Sequence, residues 1–592
     1  MSDNPYPYDT ARVSEILKHK RKHRGIRSCF PCRHRKVRCD GQVPCSSCVK
    51  RNHSELCRVP TASALEAREK DAPPTILPDP VNMISRLERI EEQITALKAD
   101  LRAVTAGVSP GSARSSPLTR SVPSAIQPGS PGRHVLEDAT GATIYLGSHS
   151  DSPLALGCRE ASVTGDLLLH SAMLNQFVPR TYPFTSLWGP DATTKDVCET
   201  LPDDSDMIRY WQAYRSTAFP FYPVLVAADE FGLSLFTFLN NRVSAKDQGQ
   251  DLEPEPSWLA LLFAVMACGV QFTDDPPKER DLRSKVFICS SFQILRMSNF
   301  FNHTDLNQIQ AMALIGHCLR NNLDTNSAWI LMGAAIRLAQ SIGLHEASLS
   351  LPQAEQVQRT WLWWALIWQD TFLSFTYDRP PSCLITRNCP IPYTPNPSGL
   401  SFHECIFRIC HIILDQAQQE ATGRASNEAH AADAKRRLEG VWDAAAPFLT
   451  DKMHCTSLQN HLERLALGIH LNYSICRVTL VHLDTDSLAM DCRSRAMQVI
   501  ECFLELHRFS PTICRAWAFV HNAVSCAITL HRLSQVPTMT PTEAGALAQR
   551  LIVVLEKEAR NSEWYDADTN VRYFGPYSRS LNALREVYSD LE

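Results

Sequence analysis

The residues best suited to chemistry are six cysteines between residues 29 and 57. Their spacing is C-x(2)-C-x(6)-C-x(5)-C-x(2)-C-x(8)-C, so the second half of the segment nearly repeats the first. A C-x(2)-C pair places two thiolates on one tight turn, and a third cysteine after a short helix can reach the same metal ion. The sequence therefore predicts a zinc centre whose ligands are Cys29, Cys32, Cys39, Cys45, Cys48 and Cys57.

The number of sulfur atoms limits how zinc can be held. Two tetrahedral zinc ions need eight coordination positions, so six thiolates suffice only if two of them bridge both metals. Cys29 and Cys45 open the two halves of the segment and are the symmetric candidates for bridging. Six thiolates and two divalent ions together have a net charge of two negative units. Flanking Arg and Lys side chains would help offset this excess negative charge. We expect two Zn²⁺ ions per chain.

Two other interpretations of the cysteines fit less well. A disulfide framework belongs in an oxidising compartment, but the residues before Cys29 are polar and then basic, without a secretory signal. A RING-type cross-brace usually includes a histidine ligand and a long spacer after its first pair, whereas the spacer Arg33–Arg38 is short. A zinc cluster remains the prediction for residues 25–60.

Basic side chains surround this segment. Residues 1–60 contain 14 Lys and Arg against 5 Asp and Glu, although the whole chain has a formal net charge of −4. A basic head on an acidic remainder indicates that only the head binds a polyanion. Residues 1–24 form a basic arm that ends in KHKRKHR, a candidate for nuclear import and for phosphate contacts, Lys20 among them.

The stretch CRHRKVRCD, with Pro44 just before the fourth cysteine, closely resembles the fungal binuclear zinc-cluster (six-cysteine) transcription factors. The resemblance implies two bridged zinc ions, CGG-type half-sites in double-stranded DNA, a dimer, a nuclear location and regulation of RNA polymerase II transcription. It places Arg35 and Lys36 where the family contacts the triplet, while Arg33 and Arg38 are expected to meet phosphates or the charge of the cluster. That all four contact phosphates is the open alternative.

Residues 61–160 are predicted to connect the zinc-binding head to the rest of the chain and to form a dimer with a second chain. Prolines make residues 61–80 a semi-stiff linker, and residues 81–106 then carry a heptad repeat. The composition of residues 107–160, rich in Ser, Pro and Gly at the start, predicts a disordered tether. A parallel coiled-coil homodimer is expected, with an amphipathic helix packed on the body as the alternative. The a and d positions of the heptad repeat form the apolar seam of this coiled coil, which consists of Met83, Leu87, Ile90, Ile94, Leu97, Leu101 and Val104.

Residues 161–592 have apolar residues at helical spacing and predict a large all-α domain. The segment Ser327–Gly343 has one apolar stripe and a glycine where a left-handed cap is expected. The segment Arg359–Thr376, with four tryptophans, is apolar nearly all round and should be central. Both resemble the fungal-specific middle homology (regulatory) domain, over roughly residues 165–485, although Asp378 stands where that family often has glycine. The residues on which this resemblance rests are Ala335–Gln340, Gly343–His345, Trp363, Trp364, Asp370 and Arg379–Pro381.

Other candidate sites in the body receive structural interpretations. His403, Cys405, Cys410 and His411 resemble ligands, but on a helix no three of them converge, so core packing is expected. The cysteines outside the cluster are predicted to be core residues of a reducing compartment. The longest apolar run, Trp258–Val270, is too short to span a bilayer, so no membrane association is expected. No nucleotide-binding or hydrolase motif is present, which predicts no enzymatic activity.

The predicted fold is a small binuclear zinc-cluster module and a short coiled coil, followed by a large all-α domain. The predicted function is zinc-dependent, sequence-specific regulation of transcription, with a helical body that controls activity or binds transcriptional co-regulators. The alternative is a helical interaction scaffold or small-molecule-binding protein that the head tethers to chromatin without selecting a sequence.

Overall fold

The chain is described from a computed structural model. The described residues of the cysteine-rich segment are 32, 39–40, 42 and 44–51. Residues 133–137 and 142–146 follow, and then 187–588, except 190, 249–253, 348–349, 385–389, 393–397, 422–427, 481–485, 535–541, 563, 567–570 and 574–576. The chain divides into two compact units, Met1–Ser121 and Val122–Glu592. The predicted coiled coil and its seven seam residues lie outside the described residues.

Among the described residues, the first unit contains the short helix α1 (Ser46–Val49), and the second contains the other described helices and two hairpins. The helices of the second unit are α2 (Thr194–Cys198), α3 (Asp204–Ala213), α4 (Ala228–Gln248), α5 (Pro256–Gln271), α6 (Pro277–Met297), α7 (Leu306–Asn321), α8 (Thr325–Ser341), α9 (Gln353–Tyr377), α10 (Phe402–Ala421), α11 (Glu428–Asp443), α12 (Pro447–Thr450), α13 (Leu458–Leu480), α14 (Asp486–Phe509), α15 (Trp517–Ser534), α16 (Thr542–Ser562) and α17 (Tyr577–Tyr588). Short π- and 3₁₀-helical turns occupy Tyr214–Ala218, Phe219–Phe221, Lys452–His454 and Ile513–Arg515.

Two antiparallel hairpins correct the predicted fold. Strands β1 (Arg133–Glu137) and β2 (Ala142–Leu146) pair with Val135 opposite Ile144, inside the segment predicted to be disordered. Strands β3 (Trp564–Asp566) and β4 (Val571–Tyr573) pair within the body predicted to be all-α. Both hairpins contain β-branched or aromatic residues that favour strands. A composition averaged over a long segment hides such short runs.

The core of the second unit is organised around helices that are buried on every side. The apolar run predicted not to cross a membrane is the middle of α5, which packs against α3, α6 and α7. Helix α13 is buried continuously from Leu465 to Thr479 and packs against α10, α11 and α14. A helix that is apolar all round has no solvent-facing side, so other helices must surround it. In the described part of the chain, no helix is long and apolar enough to cross a membrane.

The predicted helices of the regulatory body are confirmed. Helix α8 begins after Asp324, whose carboxylate accepts a hydrogen bond from the Ser327 amide, and it is followed by Gly343 at φ 74°. Helix α9 is buried from Leu362 through most of its remaining length. Asp378 ends α9 in a left-handed conformation, with φ 50° and ψ 51°. In this chain an aspartate therefore adopts the left-handed conformation that glycine most often adopts at the end of a helix.

The turn after α9 is held by residues that carry the resemblance to the regulatory domain. The carboxylate of Asp370 accepts hydrogen bonds from the amide and the hydroxyl of Ser382, both at 2.8 Å. Burial raises the pKa of Asp370 to about 6. Arg379 donates to Asn326 Oδ1 at 3.0 Å and to the carbonyl of Tyr145 at 2.9 Å. These contacts join α8, α9 and the β1–β2 hairpin, so the matching residues stabilise the fold.

Candidate metal centre and nucleic-acid interface

The second C-x(2)-C pair forms a tight turn at the start of α1. The amides of Cys48 and Val49 both donate to the carbonyl of Cys45 at 3.0 Å, which brings Cys45 and Cys48 onto one turn. Cys32, Cys45 and Cys48 are buried, and Cys39 packs against them. Among the described residues of this unit, the sulfurs themselves form the interior.

The distances between these sulfurs fit a shared metal ion. Cys32 Sγ lies 3.5 Å from Cys45 Sγ and 4.0 Å from Cys48 Sγ. Ligands 2.3 Å from a tetrahedral zinc are about 3.8 Å apart, and the two observed distances fall on either side of that value. The three sulfurs lie within 4.8 Å of one another. Thiolates at this spacing can bind one zinc ion together.

A second group of potential ligands shares one sulfur with the first. Cys39, Asp40 and Cys45 also lie within 4.8 Å of one another, so Cys45 Sγ belongs to both groups. A thiolate that bridges two metals must occupy such a position. Cys45 is one of the two residues for which bridging is predicted. Its predicted counterpart Cys29, and the sixth ligand Cys57, lie outside the described residues.

Asp40 supports the loop between the third and fourth cysteines. Its Oδ2 accepts a hydrogen bond from the Ser46 amide at 3.0 Å, and its Oδ1 accepts one from the Gln42 amide at 3.3 Å. Hydrogen bonds from the Ser46 side chain and amide lower the pKa of the Asp40 carboxyl. Because both oxygens already accept hydrogen bonds, Asp40 positions Cys39 and Cys45, and the thiolates are the better zinc ligands.

The basic residues predicted to contact DNA are Lys20, Arg33, Arg35, Lys36 and Arg38, and all lie outside the described residues. The described neighbours Cys32 and Cys39 bracket four of them in the sequence. The assignment of these residues to base or phosphate contacts therefore stays a prediction.

Of the four residues of α10 that resemble ligands, Cys405 and Cys410 belong to the core, as predicted, and His403 and His411 are half-buried. Cys405 and Cys410 are fully buried, and burial raises the pKa of the Cys405 thiol to about 12. His403 Nε2 donates to the carbonyl of Pro220 at 2.9 Å. In the part of the chain that the structure describes, the groups of ligand atoms close enough to hold a metal are those of the head. The described cysteines of the body form no disulfide with one another, and most are buried.

Two functional candidates in α7, His317 and Arg320, were not identified from the sequence. Both are buried, and Arg320 Nη2 lies 2.9 Å from His317 Nδ1. The available signal was a cation three residues after a histidine within the apolar run AMALIGHCLR. Long charged residues are rarely buried without an opposite charge, so this pattern was informative.

Comparison with protein families and relatives agrees with this geometry. Residues 27–64 match the fungal Zn(2)-Cys(6) binuclear cluster domain, and residues 209–395 match the fungal specific transcription factor domain. The second match lies within the range of residues 165–485 predicted from the resemblance.

Relatives with similar sequences carry regulatory names. The aurofusarin cluster transcription factor of Gibberella zeae is 24% identical over 57% of this chain and 43% of its own length. The acetamidase regulatory protein of Aspergillus oryzae is 25% identical over 63% of this chain and 52% of its own length. This chain thus spans about half the length of these relatives. One chain of the solved structure of the K. lactis CBF3 core was matched to this chain. The match covers 69% of this chain and 85% of the CBF3 chain, with a TM-score of 0.45 and 11% sequence identity.

The sulfur geometry, the two domain matches and the named relatives agree with one another. The chain thus contains a fungal Zn(2)-Cys(6) binuclear cluster domain and a fungal specific transcription factor domain, and the relatives it resembles are named as fungal transcription regulators.

Proposed function

We propose that this chain is a nuclear, zinc-dependent regulator of RNA polymerase II transcription that reads CGG-type half-sites in double-stranded DNA as a homodimer. The observation that carries the proposal is the position of Cys45 Sγ, which belongs to both groups of potential metal ligands. One shared sulfur supports a cluster of two zinc ions in which thiolates are bridged. Such a cluster would fix the short basic segment between Cys32 and Cys39.

The zinc ions would supply folding free energy to the head and would perform no chemical step. The described part of the head has sulfurs at its centre and an exposed Val49, so apolar burial contributes little there. Cys29, Cys32, Cys39, Cys45, Cys48 and Cys57 would hold two ions, with Cys29 as the second bridging ligand. Lys and Arg side chains nearby would offset the excess negative charge of the cluster.

The basic segment of the head provides two kinds of DNA contact. Arg35 and Lys36 would donate to guanine O6 and N7 in the major groove, which distinguishes one base pair from another. Arg33, Arg38 and Lys20 would bind phosphates, which fixes the position of the protein without reading sequence. The names of the relatives, a cluster transcription factor and an acetamidase regulatory protein, support a regulatory role for such contacts.

Dimerisation would place two heads on two half-sites. The heptad of residues 81–106 presents an apolar seam that each chain alone would expose to water. The helical body would then control activity or bind transcriptional co-regulators, which agrees with its match to the fungal specific transcription factor domain. No catalytic activity is part of the proposal.

Selection of bound sequences from random double-stranded DNA tests the proposal. The full chain loaded with zinc is expected to enrich CGG-type triplets. Cys45→Ser, which removes the shared sulfur, should enrich nothing. If the unaltered chain binds DNA but enriches no sequence, the head only tethers the body to chromatin, and the proposed function is wrong.

A further inference from the structure

A buried arginine in α7 has no carboxylate among the described groups that interact with it. Arg320 is 5% exposed. The side chains of Tyr222, Cys268 and Cys318 act on its charge, and the rings of Tyr222 and Trp517 lie 5.6 and 6.0 Å from its Cζ. Burial lowers the pKa of Arg320, yet a guanidinium remains protonated in proteins. A positive charge is therefore held inside the helical body without a counter-ion from the described part of the protein.

The partner of Arg320 is a histidine that leaves a second donor unused. Arg320 Nη2 lies 2.9 Å from His317 Nδ1, and because a guanidinium only donates, Nδ1 must be the acceptor. The proton of the neutral imidazole then resides on Nε2. His317 Nε2 and Arg320 Nε have no hydrogen-bond partner among the described residues. Burial lowers the pKa of His317 well below its ordinary value, which agrees with a neutral ring.

His317 and Arg320, the residues that carry these two donors, line a cavity with aromatic walls. Residues from α7, α9, α13, α15 and the segment before α4 surround a space of ≈ 480 Å³, counting its open mouth. Arg320 and His317 lie on one side with Tyr222, whose hydroxyl also lacks a partner. Trp368, Phe372 and Phe519 contribute apolar surface. The cavity thus combines a cation and unused N–H donors with aromatic rings.

A group that is buried without its hydrogen bonds costs stability, so these atoms favour a ligand that completes them. Donors without acceptors select an anion, and a carboxylate matches the planar fork of a guanidinium. Inorganic phosphate has no apolar group to pack against the aromatic rings, which form much of the cavity wall. An apolar group attached to the anion would instead pack against those rings.

We propose that this cavity binds a small organic carboxylate. Its oxygens lie against Arg320 and His317, and its apolar portion packs against Trp368, Phe372 and Phe519. The ligand acts on the helical body and needs no contact with the head. The proposal therefore stands apart from DNA recognition, and failure of the DNA selection would not affect its test.

The test compares acids with their neutral amides on the full chain. Acetate, butanoate and benzoate are each titrated beside acetamide, butanamide and benzamide, with binding followed by saturation-transfer NMR and calorimetry. At least one acid should bind about ten-fold or more tightly than its amide, because a charge-assisted pair is lost in the amide. The comparison needs no variant, so it decides the matter even where a substitution prevents folding.

Two arginine variants locate the site. Arg320→Met should weaken binding of that acid about ten-fold or more. Arg477→Met is the matched control, since Arg477 is 7% exposed and donates to the carbonyl of Phe375 outside the cavity. It should leave affinity unchanged, with folding checked by circular dichroism. The proposal is wrong if no acid binds better than its amide, if inorganic phosphate binds more tightly than every acid, or if both variants weaken binding equally.

Discussion

Gly269 of α5 lies against the backbone of Tyr210 in α3, and a Cβ atom built on this glycine would lie 2.1 Å from the Tyr210 carbonyl oxygen. No side chain can occupy that space without moving one helix away from the other. The absence of a side chain at Gly269 therefore sets how closely α3 approaches α5, whose residues are nearly all buried.

Gly269→Ala should destabilise the body by about 3 kcal/mol or more, because the clash is with backbone and cannot be relieved by a rotamer change. Gly440→Ala is the control, since nothing lies within 4 Å of a Cβ atom built at Gly440 in α11. That change should stabilise the helix by about 0.5 to 1 kcal/mol. Urea unfolding measures both, and equal effects of the two variants would contradict the close approach.

Acid should destabilise the body through its buried histidines. Burial lowers the pKa of His403 to about 4 from 6.5. A lowered histidine pKa stabilises the fold above pH 6.5, and that contribution is lost as the pH falls toward 4. Between pH 7 and pH 5 the loss from His403 is about 2 kcal/mol.

His403→Gln should reduce the difference between the unfolding free energies at pH 7 and pH 5 by that amount. Asp370 acts with the opposite sign, because a carboxyl whose pKa is raised to about 6 gains stability as the pH falls through that value. Asp370 is present both in the unaltered chain and in His403→Gln, so its contribution to the pH dependence cancels when the two are compared. An unchanged pH dependence in His403→Gln would show that His403 accepts a proton in the folded state.

Native mass spectrometry of the full chain should count two zinc ions. Cys45→Ser should lose both ions, because its sulfur belongs to both ligand groups. Cys48→Ser removes a sulfur that belongs to only one ligand group, so this variant should retain more zinc than Cys45→Ser. A single ion in the unaltered chain, with two cluster thiols still open to alkylation, would exclude the bridged cluster.

Base and phosphate contacts leave different signatures in DNA titrations. Lys36→Ala should lose about 1 to 3 kcal/mol on the preferred triplet and much less on scrambled DNA. Lys20→Ala should weaken both DNAs alike and reduce the salt dependence by about one unit of slope. Titrations of both variants at two salt concentrations make the comparison. Equal weakening of the two DNAs by Lys36→Ala would assign this lysine to phosphate.

The apolar seam of residues 81–106 predicts that the double variant Ile94→Asp and Leu97→Asp is monomeric. Buried, unpaired carboxylates should cost several kcal/mol of association free energy. Thr95→Asp with Ala99→Asp adds the same charge at outward heptad positions and should remain dimeric. Sedimentation velocity distinguishes the species. A dimeric Ile94→Asp and Leu97→Asp variant would move the interface to the helical body.

The cysteine spacing alone predicted the zinc head, because metal ligands on tight turns are restricted by their separation along the chain. An amphipathic stripe and a segment that is apolar nearly all round likewise predicted α8 and the buried part of α9. The hairpin of residues 133–146 escaped prediction, since short strands depend on pairing with a partner.

Only the tertiary structure revealed that Cys45 belongs to both ligand groups, because that observation needs distances between sulfurs. The same holds for Gly269 against Tyr210 and for the cavity around Arg320, whose walls come from segments between residues 217 and 519. Periodicity specifies which face of a helix is apolar. It does not specify which helices meet, how closely they approach, or which buried cation is left without an acceptor, because those follow from packing in three dimensions.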